Sequence, residues 1–86
     1  MSKLIFAERA WEEHLYWQKN DRKTLKRVNQ LLRDIARNGN DGFGKPEPLR
    51  YRDGWSRRID DVNRLVYQLQ EDGSVEVMQC KGHYDD

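Results

Sequence analysis

Arg64-Leu65-Val66-Tyr67-Gln68-Leu69-Gln70-Glu71-Asp72-Gly73-Ser74-Val75-Glu76-Val77-Met78-Gln79-Cys80 reads as a β-hairpin. Leu65, Tyr67 and Leu69 alternate with Val66 and Gln68, which marks a strand with one core face. Glu71-Asp72-Gly73 is a turn signal, and 75–80 repeats the strand pattern with Cys80 as a buried residue. Just upstream, 55–59 is a further strand, joined by a tight turn at Asp60 to Asn63. Before residue 55 the pattern changes. A short apolar stretch, 3–6, is a first strand. Helical spacing starts at Ala7 and puts Trp11 and Leu15 on the core face, with Glu12 and Glu13 pointing away. Asp21 is a good N-cap for a second helix. In that helix Leu25, Val28, Leu32 and Ile35 form an apolar stripe, opposite Arg22, Lys23, Lys26, Arg27, Arg33 and Arg37. Asn38-Gly39 ends it. Residues 39–54, rich in Gly, Pro and Asp, read as loop. The order β-α-α-β-β-β predicts one α+β domain over residues 1–86. Two N-terminal helices should pack on one face of a mostly antiparallel sheet and leave the other face free.

Composition narrows the function. Hydrophobic and charged residues each make up 36% of the 86 residues, which implies a thin core and a surface built for a polar partner. No stretch reads as a membrane span or a signal-peptide core, so no membrane association is expected and the cytoplasm is the expected compartment. A single cysteine excludes an internal disulfide and a thiolate zinc cluster, and no carboxylate or histidine cluster implies a metal or other cofactor. Net charge is only +1, but residues 20–64 carry twelve Lys/Arg against seven Asp/Glu. A basic middle fits phosphate binding at a localised site, or equally a solvated helix face.

The chemistry-bearing residues lie in and after the loop. Pro46-Glu47-Pro48 fixes one carboxylate in extended backbone, as a positioned general base requires, although a plain surface glutamate fits as well. Lys45 and Arg50 put positive charge on either side of it. Strand alternation sets Arg57 with Trp55 and Ile59, but Arg58 and Arg64 on the opposite face. There the two guanidiniums can fork a phosphate, or pair with Asp53, Asp60 and Asp61. His83 and Tyr84 follow the last strand. An imidazole there can protonate a leaving oxygen, and a phenol can stack on a base. The Gly39…Gly44-Lys45 spacing matches the start of a Walker A pattern. Pro46 in place of Ser/Thr, after a helix rather than a strand, rules it out.

Taken together, Gly44-Lys45-Pro46-Glu47-Pro48-Leu49, Trp55-Ser56-Arg57-Arg58-Ile59, Arg64-Leu65-Val66-Tyr67 and His83-Tyr84 resemble the YoeB/Txe family of bacterial toxins. Trp11-Glu12 and Tyr16-Trp17-Gln18 are similar too. The resemblance implies a RelE-superfamily, microbial-ribonuclease-like fold and a metal-independent endoribonuclease that cleaves mRNA in the A site of the 70S ribosome. It implies Glu47 as general base, His83 as general acid and Arg64 as the transition-state arginine. Arg58, Arg50, Lys45 and Tyr84 would contact substrate or phosphate. Implied partners are a YefM-type antitoxin, a second copy of the chain, and operator DNA only through the antitoxin complex. The chain departs from the family in five places. The loop before Trp55 is shorter than usual. Arg50 stands where Lys is usual, Asn63 where His is common, and Lys81-Gly82 where Arg-Tyr is common. Asp85-Asp86 extends past Tyr84. The Gly82 change motivates an alternative, a catalytically weakened relative acting mainly through antitoxin and operator-DNA binding.

Overall fold

The computed structural model describes residues 3–83. Strand β1 (Leu4–Phe6) leads into α1 (Glu8–Asn20) and α2 (Arg22–Asn38), followed by β2 (Glu47–Pro48), β3 (Trp55–Arg58), β4 (Arg64–Leu69) and β5 (Val75–Gln79). The sheet order is β1-β5-β4-β3-β2, with β1 parallel to β5 and every other pair antiparallel. The expected α+β architecture is present.

Asp21 caps α2 as expected: its carboxylate accepts from the Thr24 backbone N–H at 3.0 Å and from the Thr24 hydroxyl at 2.8 Å. Val28, Leu31, Leu32 and Ile35 pack from this helix onto Leu65, Tyr67, Val75 and Val77 of the central hairpin. The Leu65/Tyr67/Leu69 alternation therefore does face the helices.

Two expectations are corrected. First, the segment read as featureless loop contains β2, whose Glu47 and Pro48 register with Ser56 and Trp55. A two-residue strand carries no periodicity, and its one proline, Pro48, is tolerated because it is an edge strand. Second, Trp11 and Leu15 do not enter the core; they are 46% and 37% exposed. Helix α1 is rotated so that Ala10 and Trp17 face inward. The small Ala10 allows a close approach, and the Trp17 indole N–H donates to the Cys80 carbonyl at 2.8 Å. Glu13, expected to point outward, accepts from the Cys80 N–H at 2.8 Å.

The least expected core residue is Arg57, whose side chain is fully buried. It donates to the Asp34 carboxylate, to the Phe43 carbonyl at 2.8 Å, to the Gly39 carbonyl at 2.6 Å and to the Tyr67 hydroxyl at 3.3 Å. Tyr67 passes the chain on, donating to Asn40 Oδ1 at 3.0 Å. One guanidinium thus ties the C-terminal part of α2 and both ends of the 39–43 loop to the sheet. The hydrogen bond from Arg57 holds the Asp34 carboxyl below the usual carboxylate range, against the opposing effect of burial. Asp34 therefore stabilises the fold fully above the ordinary carboxylate pKa, and the contribution fades as pH falls through its lower folded-state value.

Removing one partner of such a pair strands the other. Arg57→Met should cost about 3 kcal/mol in urea unfolding at neutral pH. The gap between wild type and Asp34→Asn should be widest at neutral pH and close in acid.

Candidate active site

The face of the sheet away from the helices carries a small recess of about 40 Å³ lined by Lys45, Glu47, Ser56, Arg58 and Arg64. The register explains why these side chains meet. Glu47 lies opposite Ser56, and Arg58 lies directly opposite Arg64. Alternation along β3 sends Arg58 to this face and its neighbour Arg57 to the other.

The loop that delivers Lys45 and Glu47 is tightly held. The Arg58 N–H donates to the Gly44 carbonyl at 2.7 Å, beside the edge pairing of β2. Gly44 and Lys45 both take left-handed backbone, at φ 85° and 52°. A Cβ at Gly44 would lie 2.7 Å from Leu31 Cδ2, so the helix packs directly against this turn. Lys45 is the one non-glycine residue with positive φ among the described residues, a local strain that sits at the recess.

Arg64 Nη1 donates to the Asp60 carbonyl at 2.8 Å and to the Asn63 carbonyl at 3.3 Å, which anchors one edge of the guanidinium on the turn between β3 and β4 without using all its donors. Among the described residues the ion pairs are Arg9–Glu13 and Arg57–Asp34. Neither involves the recess, so Arg58 and Arg64 do not pair with Asp53, Asp60 or Asp61 side chains.

The structure brings Lys45, Glu47, Arg58 and Arg64 together. Arg50, exposed in the turn after β2, and the exposed His83 are not among the residues lining the recess. His83 is nevertheless carried alongside it, because the Arg64 N–H donates to the Gly82 carbonyl at 2.9 Å. Tyr84, expected to contact substrate, lies outside the described residues, as do Asp85 and Asp86. Sequence reasoning did not place Ser56 in the site or see the anchoring role of Arg57. The second was within reach, because an arginine set by alternation on the core face needs a buried acid.

Other chemistry is weak. No group of three His, Cys, Asp or Glu side chains among the described residues is arranged to hold a metal ion. The Cys80 thiol is pushed up to about 12 by burial, with the Glu13 charge adding to it, so it stays protonated.

Comparison with known proteins fits this geometry. The family model described as "YoeB-like toxin of bacterial type II toxin-antitoxin system" matches residues 6–84. Toxin YoeB of Escherichia coli K12 is 43% identical over 84 residues, covering 95% of this chain and 99% of that protein. The chain belongs to the YoeB family of type II toxins. Two solved YoeB structures from Staphylococcus aureus superpose closely. One is a YoeB-YefM complex, with TM-score 0.88, 38% identity and coverage of 98% of this chain and 99% of that one. The other is a YoeB dimer, with TM-score 0.88, 42% identity and coverage of 96% and 98%. In this YoeB-family toxin the most distinctive local device is the clamped loop that ends at Glu47.

A Cβ at Gly42 would overlap the Asp34 carboxylate and lie 2.7 Å from Arg57 Nη1. Gly42→Ala should therefore loosen the loop and cost about 1–3 kcal/mol. Amide exchange should quicken at Arg58, whose N–H donates to the Gly44 carbonyl, while far-UV circular dichroism keeps its helical signal.

Proposed function

We propose that this toxin is a ribosome-dependent endoribonuclease that cuts mRNA in the A site and so halts translation. The observation that carries this reading is the convergence of one carboxylate, Glu47, with three cations, Lys45, Arg58 and Arg64, in one recess.

The step needs three services. Glu47 takes the proton from an RNA 2′-OH, and that oxygen attacks the adjacent phosphorus. Arg64 and Arg58 stabilise the charge that builds on the phosphoryl oxygens, with Lys45 and Arg50 adding contacts to the substrate phosphates. His83 gives a proton to the departing 5′-oxygen. The products are a 2′,3′-cyclic phosphate and a 5′-OH end. A 2′-OH nucleophile restricts the reaction to RNA. Acid–base groups and guanidiniums supply everything the step requires, so we propose that it runs without a metal. Tyr84 is assigned to base stacking.

A YefM-type antitoxin is the proposed inhibitor, and a second copy of the chain the proposed partner in the free toxin. The relatives seen as a YoeB-YefM complex and as a YoeB dimer support both. Operator DNA would be met only through the antitoxin complex. The cytoplasm is the proposed site of action; no helix among the described residues is long and apolar enough to cross a membrane.

The test is a purified translation reaction with a defined mRNA, with and without ribosomes, mapping RNA ends by primer extension. Wild type should cut within the A-site codon only when ribosomes are present. Glu47→Ala and Arg64→Ala should each slow cutting by about 10²- to 10⁴-fold. An intact message with wild type would move the chain to the alternative role, binding antitoxin and operator without cleavage.

A further inference from the structure

The segment that carries His83 leaves β5 at Gln79 and crosses the end of β4. Cys80 is still buried in the core, but beyond it apolar packing gives out: a Cβ at Gly82 would meet nothing within 4 Å. Polar contacts take over that task. Asn63 Oδ1 accepts from the Gly82 N–H at 2.7 Å. The Gly82 carbonyl in turn accepts from the Arg64 N–H at 2.9 Å. Gln79 Nε2 lies 3.1, 3.2 and 3.0 Å from the carbonyl oxygens of Lys81, Gly82 and His83. Its two hydrogens are shared among three acceptors, so one side chain fixes three successive peptide planes.

Two features aim these groups. A register shift between Val66 and Tyr67 places Gln79 opposite Val66, on the face of the recess. In unbroken pairing that position would fall to Met78. Gln79 is 3% exposed, so its carboxamide has no water to turn to. Asn63 is oriented by Asp60, whose two carboxylate oxygens lie 3.1 and 3.0 Å from Asn63 Nδ2. That leaves Oδ1 as the atom facing Gly82. Asp60 also accepts from the Val62 and Asn63 N–H groups at 2.8 and 2.7 Å.

We propose that Asn63 and Gln79 are positioning residues that latch the His83 segment beside Arg64. The proposal rests on the reading of His83 as the general acid. A proton donor is useful only within hydrogen-bond reach of the leaving oxygen. Here the donor sits in the last turn described, behind a glycine at φ 87°, where backbone freedom is greatest. The latch removes that freedom while leaving the imidazole exposed.

The experiment compares wild type, Gln79→Met and Asn63→Ala in single-turnover cleavage on programmed ribosomes. Two messages are used, ordinary RNA and RNA with sulfur replacing the bridging 5′-oxygen at the scissile phosphate. A thiolate leaves without a proton, so the second message bypasses the acid. Each variant should cut ordinary RNA about tenfold to a hundredfold more slowly, with little change in half-saturation, and should recover near-wild-type rate on the sulfur RNA. In a His83→Ala background Gln79→Met should add no further loss. Equal losses on both messages would mean general loosening of the fold and would overturn the proposal. So would undiminished cutting of ordinary RNA. Amide exchange of the free protein separates this from failure of the nuclease reading. The Gly82 N–H should be protected in wild type and released in Asn63→Ala. If wild type cuts neither message, the acid role and the latch's catalytic purpose fall together. Fast Gly82 exchange in wild type removes the latch by itself.

Discussion

The buried guanidinium of Arg57 is the contact on which the arrangement of this toxin turns. A charge taken out of water is costly unless its partners are complete. Here four of its donor directions are filled, by Asp34, by the carbonyls of Gly39 and Phe43, and by the Tyr67 hydroxyl. A lysine could neutralise Asp34, but a point charge on a flexible stem has no planar fork to span both ends of the loop. The geometry makes the loop an extension of α2 rather than a free connection. The path to Glu47 is then short: Gly44 is pinned between Leu31 and Arg58, and β2 pairs at once with β3.

That anchoring permits something unfavourable next to it. Arg58 and Arg64 are direct cross-strand partners, and like charges in that position destabilise a sheet. Lys45 adds a third cation and a strained backbone to the same recess. One carboxylate cannot neutralise three cations, and the ion pairs seen among the described residues lie elsewhere. A local conflict that the surrounding fold tolerates is the expected mark of a site built for a ligand. The ligand that relieves it is an anion, in agreement with the proposed action on an RNA phosphate.

What was readable from the sequence follows the reach of each signal. The hairpin, the α2 stripe and the Asp21 cap depend on residues a few positions apart, and all are present. Alternation alone put Arg58 and Arg64 together on one face and Arg57 on the other, because period two is strict once a strand is anchored. The first helix was misread because Trp11 and Leu15 are apolar at the right spacing, while the inward face is set by contacts with Cys80, more than sixty positions away. Strand β2 was too short to show a period. The partner of Arg57 was hidden for the same reason of distance: nothing local links Asp34 to residue 57. Lys45, Glu47, Arg58 and Arg64 were named and do line one recess, whereas Arg50 and His83 stand outside its lining.

The proposed site is therefore assembled from three pieces held by different means. The loop is held by Arg57 and Asp34, the central arginines by strand register, and the His83 segment by Asn63 and Gln79. Both carboxylates that organise the clamps sit below the usual range. Asp34 is lowered by its bond from Arg57. Asp60 is lowered despite burial, by hydrogen bonds from Asn63 and Val62 and by the charge of Arg64. A carboxylate with a depressed pKa keeps its contacts down to acid conditions and loses them only as pH falls through that lower value. Both clamps are therefore complete at neutral pH and open only in acid, so the loop that carries Glu47 and the turn that carries Asn63 share one dependence on ionised carboxylates.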